Sequence, residues 1–203
     1  MRGASLVKPL LFAASLGPLA WLSLGAWQGS LGANPIEAIT RATGVWTLRF
    51  MLVTLAVTPA RWLTGLNEVV RLRRMLGLFA FFYGSLHLLT YLWLDQFFDW
   101  AAIAKDVVKR PFITAGFSAY VLLVPLAITS TAGMIRRLGG RRWRRLHRLA
   151  YVTAALGVVH YWWLVKLDTR PPRNYGILLA ALLLIRVWVA FKRRRAVPGR
   201  RPA

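Results

Sequence analysis

Long apolar stretches separated by short, strongly basic loops constrain this chain more than any other feature. Six of them lie at about 8–27, 45–63, 75–94, 112–134, 148–166 and 175–191. A bilayer core of ~30 Å is crossed by roughly 20 mainly apolar helical residues, so each stretch qualifies as a span. The sequence predicts an all-α integral membrane protein, a six-helix transmembrane bundle over residues 1–191 with a short basic tail over 192–203. The first stretch follows Arg2 and Lys8 and so resembles a secretory signal. Its length, its Trp21 and Trp27, and the lack of a crisp small-x-small exit favour an uncleaved helix.

The charges fix an orientation. The formal net charge is +22 in a chain that is 57% hydrophobic. In a soluble domain such a charge would indicate a nucleic-acid partner, with Arg141–Arg142–Trp143–Arg144–Arg145 as the contact. Here the basic residues sort by loop instead. With the N-terminus in the cytoplasm, that side receives Arg2, Lys8, Arg61, Arg71, Arg73, Arg74, the run Arg136 to Arg148 and the tail from Lys192, against the single acid Glu68. The opposite side receives Arg41, Lys105, Lys109, Arg110, Lys166, Arg170 and Arg173, with five acids: Glu37, Asp95, Asp99, Asp106 and Asp168. The positive-inside rule then places both termini in the cytoplasm. Membrane lipid accounts for the basic loops, and no nucleic acid is expected. Gly139–Gly140 reads as a turn in the most basic loop, and the loop from Asp95 to Arg110 as a solvated outward segment that offers a docking surface.

With no cysteine in the chain, thiolate metal sites, iron–sulfur clusters and disulfides are excluded. Three histidines remain, and two lie inside spans, where an ionisable group usually faces the protein interior or a cofactor. His87 and His160 each sit about twelve residues from the cytoplasmic entry of an outward-running helix, a depth of ~18 Å at 1.5 Å per residue. Equal depth on two parallel helices is what two imidazoles need to ligate one heme iron from opposite sides. Zinc would need further ligands at that level, and none is visible. Along the faces of these histidines run small residues, Gly84, Ala80 and Gly77 on one helix and Gly157 and Thr153 on the other. Such strips leave room for a flat macrocycle, with Gly84 and Gly157 as candidate heme contacts; they equally serve helix packing. Arg49, ~6 Å below the outer surface, is placed to pair with heme propionates or to snorkel to the interface. His147 lies at the cytoplasmic mouth of the fifth span and has three readings: ligand of a second heme, contact to a flavin or quinone, or an interfacial histidine without a cofactor.

The stretch Arg73–Arg74–Met75–Leu76–Gly77–Leu78 leading to His87, and Trp143–Arg144–Arg145–Leu146–His147–Arg148 leading to His160–Tyr161–Trp162–Trp163, resemble the ferric-reductase-like transmembrane family. Within it, the chain is similar to the heme-binding membrane subunits of periplasmic methionine-sulfoxide reductase systems. The likeness extends to Leu48–Arg49–Phe50, Thr58–Pro59 and Thr129–Ser130, and so over nearly the whole chain. It implies a b-type heme flavoprotein of the bacterial inner membrane with FMN as a further cofactor. It also implies electrons drawn from the quinone pool or a cytoplasmic flavin reductase, and delivery to the molybdopterin subunit MsrP, which reduces methionine sulfoxide in periplasmic proteins. Relatives with two stacked hemes carry two histidines on each of two helices. Position by position, His87, His147 and His160 carry over as iron ligands, while the fourth falls on Arg73 or Arg74, so one heme is implied and a second is left open.

No Gly-rich dinucleotide fingerprint occurs, so reducing equivalents are expected from outside the chain. Bis-histidine ligation fills both axial positions and favours electron transfer over oxygen binding, so no substrate chemistry is expected within the chain itself. Two alternatives compete: the cytochrome b subunit of another quinone-linked oxidoreductase, and a non-redox transporter or assembly factor. The second lacks the paired Gly/Pro-broken helices of many transporters.

Overall fold

The computed structural model describes residues 3–195, and every regular element among them is helical. Arg2 and the tail positions 196–203 lie outside the described residues. The elements are α1 (Gly3–Trp27), α2 (Pro35–Thr64), α3 (Arg73–Leu89), α4 (Trp100–Lys109), α5 (Pro111–Ile128), α6 (Ala132–Leu146), α7 (Leu149–Leu164) and α8 (Arg170–Arg195). A 3₁₀ turn, Glu68–Leu72, leads into α3, and a π-helical turn, Thr90–Asp95, extends it. Five helical stretches are long and apolar enough to cross a membrane: Leu6–Trp27, Pro35–Thr64, Glu68–Asp95, Pro111–Ile128 and Arg170–Lys192. The sixth apolar helix, α7, has 16 residues and spans ~24 Å, less than a full bilayer core.

Helix ends follow local chemistry. Asn34 accepts from the Glu37 N–H, Pro35 takes the first position of α2, and Gly65 closes it at φ 70°. Asp99 accepts from the N–H groups of Ala101 and Ala102 and so starts α4 inside the loop read from sequence as unstructured. That loop's acids are engaged: Asp106 takes Arg110 at 3.2 Å and the Tyr91 hydroxyl at 3.3 Å, and Asp95 accepts from Gln96. The fourth span also differs from the expected 112–134. It stops at Ile128, because Thr131 adopts an extended conformation and its hydroxyl caps α6. The amphipathic basic helix α6 kinks where Gly139 stands at φ 73°, at the glycine pair read as a turn.

α2 packs against α3, and α5 against α7; α3 also meets α5, and α2 meets α7, so the four helices form a ring with α8 laid across α2 and α7. The core is built from Leu48, Met51, Leu52 and Leu55 of α2, Leu76, Phe79 and Ala80 of α3, Ala154 and Val158 of α7, and Leu179 and Leu182 of α8. Phe50 stacks between Phe79 and Tyr83 at centroid distances of 5.5 and 5.3 Å. The fully buried Tyr83 also binds α1. Its hydroxyl donates to the Ser15 carbonyl at 2.9 Å and accepts from the Leu19 N–H at 3.1 Å, two main-chain groups one turn apart on a helix that also contains Pro18.

Candidate cofactor site

His87 on α3 and His160 on α7 face one another across the ring, with imidazole centroids 6.0 Å apart and planes inclined at 73°. The two histidines singled out by depth in the sequence are thus brought together. A metal–imidazole nitrogen bond is ~2 Å long. With roughly 1 Å more from each nitrogen to its ring centre, two rings ligating one ion from opposite sides stand about 6 Å apart. The spacing observed is the spacing required.

The orientation of each ring is fixed from the neighbouring helix. His87 Nδ1 lies 2.8 Å from the Thr40 carbonyl oxygen of α2, and His160 Nδ1 lies 2.6 Å from the Phe112 carbonyl oxygen of α5. A carbonyl only accepts, so each Nδ1 carries the proton and each Nε2 keeps its lone pair. This is the arrangement that orients metal-binding histidines and sets their tautomer. A helical carbonyl is ordinarily shielded by the Cβ four residues on, which leans back toward the helix N-terminus. At both places that residue is glycine. A Cβ on Gly44 would lie 3.0 Å from the His87 ring, and one on Gly116 only 2.7 Å from His160 Nδ1. The α2–α3 and α5–α7 pairs therefore repeat one device: a carbonyl, a glycine one turn later, and an imidazole laid over that glycine. Sequence reasoning did not find Gly44, Gly116, Thr40 or Phe112. The available signal was depth, since both glycines sit near the helix ends that face the level of the histidines.

The remaining candidates have other surroundings. Gly84 faces Thr47 and Leu123, and Gly157 faces Leu48, with a Cβ at these positions in ordinary contact at 3.4 to 3.6 Å. Both open toward the interior of the ring while admitting close helix packing. Arg49 is exposed; its Nε donates to the Tyr175 hydroxyl at 2.9 Å, and its guanidinium lies 4.6 Å from the Trp46 ring centre. Beside His87, the Thr40 hydroxyl is buried without a hydrogen-bond partner, an orphan that a polar group of a bound cofactor would answer.

His147 stands apart, at the junction of α5, α6 and α7. The Thr129 hydroxyl spends its proton on the Pro125 carbonyl at 2.6 Å, so the 3.0 Å contact with His147 Nε2 has the ring donating. Trp143 stacks on His147 at 3.9 Å, and its indole N–H donates to the Thr129 carbonyl. Burial, reinforced by the charge of Arg73, holds the His147 imidazole below its ordinary pKa. Among the described residues no group of three histidine or carboxylate side chains converges on one point.

An all-helical chain with five helices long and apolar enough to cross a membrane, and with two imidazoles brought together between its paired helices, defines the class: a multi-pass membrane protein. Residues 43–158 match the family described as ferric reductase like transmembrane component, and the chain belongs to that family. The relatives are more particular. A Herminiimonas arsenicoxydans protein is 59% identical over 94% of this chain and 88% of its own length. One from Rhodospirillum rubrum is 53% identical over the whole of both chains, and one from Caulobacter vibrioides 52% identical over 91% of this chain and 88% of its own. All three are named protein-methionine-sulfoxide reductase heme-binding subunit MsrQ.

Proposed function

We propose that this chain is the heme-binding membrane subunit of a protein-methionine-sulfoxide reductase system, carrying electrons through a b-type heme held by His87 and His160. The observation that carries the reading is the opposed pair of imidazoles 6.0 Å apart, each with Nδ1 tied to a main-chain carbonyl. When bound there, the heme supplies a one-electron couple with both axial positions filled. The chain's own residues do the rest. The Thr40 and Phe112 carbonyls hold the rings, Gly44 and Gly116 admit them, and the apolar walls of the ring exclude water. Gly84 and Gly157 line the interior on the same helices as the ligands, and Arg49 is the cation within the outer part of α2 available to a propionate.

In this proposal α7 is the fifth of six spans, both termini lie in the cytoplasm, and residues 1–191 form one transmembrane domain of the bacterial inner membrane. Electrons come from the quinone pool or a cytoplasmic flavin reductase, with FMN as a further cofactor, and pass to the periplasmic molybdopterin subunit MsrP. The names of the relatives and the charge asymmetry between the two ends support this placement. His147 joins as the ligand of a second heme only by yielding its Nε2 bond to Thr129 or by turning Nδ1 inward. The same geometry would serve the cytochrome b subunit of another quinone-linked oxidoreductase, from which co-purification with MsrP distinguishes it.

The test is a reduced-minus-oxidised visible spectrum of detergent-purified protein beside His87→Ala, His160→Ala and His147→Ala. Loss of the b-type bands in the first two, with most of the signal kept in the third, is the expected result. A colourless wild type expressed with ample heme overturns the proposal.

A further inference from the structure

Arg186 sits within the membrane-spanning part of α8, six residues before Lys192, and its surroundings are unlike those of any other arginine described here. Pro59 in α2 has no N–H, so the carbonyl of Leu55, four residues earlier, has lost its helical donor. Arg186 Nη2 donates to that carbonyl, and Nη1 donates to the Tyr151 hydroxyl of α7 at 3.2 Å. The guanidinium carbon also lies 5.3 Å from the Tyr151 ring centre. These contacts hold the cation in place without neutralising it.

Its charge has no counterpart. The ion pairs among the described residues are Glu37–Arg41, Glu68–Arg71, Asp106–Arg110 and Asp168–Arg170, and none involves Arg186. Another cation, Arg73, acts on both Arg186 and His147 as a like charge. The Nε–H of Arg186 is also buried with no acceptor. A fixed guanidinium inside an apolar bundle, faced by a second guanidinium and by no carboxylate, calls for an anion from outside the chain.

We infer that Arg186, oriented by Leu55 and Tyr151 and joined by Arg73, forms a binding site for a phosphate group between α2, α7 and α8 at the basic end of the bundle. Phosphate suits it because its oxygens match the donor edge of a guanidinium and its charge answers two cations. Two sources share this chemistry. One is the headgroup of an anionic phospholipid entering between helices, as basic pockets of this kind accept. The other is the phosphate monoester of a soluble cofactor such as FMN. The site is independent of the His87–His160 pair and of any electron transfer through it.

The test uses the full chain, delipidated in neutral detergent, titrated with FMN, with riboflavin as the phosphate-free control, and separately with phosphatidylglycerol, read by native mass spectrometry. Arg186→Gln alone would strand the Leu55 carbonyl, so it is combined with Pro59→Ala, which restores a helical N–H to that carbonyl. Pro59→Ala alone should keep wild-type binding, and the double variant should lose roughly tenfold or more in affinity, the scale of a charged hydrogen bond. Tyr151→Phe, which removes only the orienting hydroxyl, should weaken binding by a smaller factor. Response to FMN but not riboflavin assigns a cofactor phosphate, and a one-to-one phosphatidylglycerol adduct assigns a lipid. Wild-type affinity for both probes in the double variant, or no binding of either by the wild type, overturns the inference. The heme bands, read on the same samples, should be unchanged by Pro59→Ala with Arg186→Gln, which keeps this result separate from the fate of the heme proposal.

Discussion

Gly44 and Gly116 do for the imidazoles what no other residue does: they uncover a helical carbonyl. Adding a methyl group at Gly116 places carbon 2.7 Å from His160 Nδ1, inside any real contact distance, so the ring must leave the Phe112 carbonyl. At Gly44 the distance is 3.0 Å, which a shift of a few tenths of an ångström relieves. Gly116→Ala should therefore abolish most of the heme absorbance and Gly44→Ala only part of it. Gly133→Ala, with nothing within 4 Å of the added carbon, should leave the spectrum unchanged. Equal yields of heme in all three variants would refute the cradle. At this scale the sequence was half legible. His87 and His160 could be paired because depth is a one-dimensional quantity that residue counting measures. Their supports could not, because Thr40, Gly44, Phe112 and Gly116 lie on other helices, and counting does not say which helices are neighbours. The glycines nearer in sequence, Gly84 and Gly157, drew the attention that their spatial counterparts on α2 and α5 also warranted.

Among the elements, α1 is held to the bundle in an unusual way. The Tyr83 hydroxyl accepts from the Leu19 N–H and donates to the Ser15 carbonyl, so α3 is tied to two main-chain groups one turn apart on α1. Tyr83→Phe should cost about 1–3 kcal/mol, the price of leaving buried main-chain groups unmatched. In detergent this should appear as a lowered thermal midpoint with the heme bands preserved, and an unchanged midpoint would show that Ser15 and Leu19 are matched without it. Elements were legible from sequence where apolar length decides them, as in α2, α3 and α8. The fourth span was drawn too long because Ala132, Gly133 and Met134 are apolar. What ends α5 is the extended backbone and capping hydroxyl of Thr131, to which a count of apolar residues is blind. The same blindness hid α4, whose start depends on one carboxylate, Asp99.

For the molecule as a whole, the asymmetry of charge is the strongest statement about how it sits in a membrane. Absence of cysteine makes it directly testable, since any thiol introduced is the only one. Ala104→Cys on α4 and Arg137→Cys on α6 are both at exposed positions. In intact cells the first should react with a membrane-impermeant maleimide and the second only after permeabilisation. The reverse pattern would invert the bundle. The proposed orientation rests on sums of charge over loops, which tolerate errors in any helix boundary. The ring formed by α2, α3, α5 and α7 was not legible in the sequence, since it depends on helix contacts.

The carbonyl anchors at Thr40 and Phe112 have one consequence for energy conversion. Each anchored N–H points at a main-chain carbonyl, which accepts the hydrogen bond but is not a base that takes up the proton. Under the proposed function, reduction of a heme held at this level would therefore not be matched by protonation of either ring. The midpoint potential of a heme held here should be nearly flat from pH 6 to 8, where strict coupling of one proton to one electron would give a slope of about 59 mV per pH unit. On the proposed function, charge would cross the bundle alone, and protons would be handled on either side of the membrane.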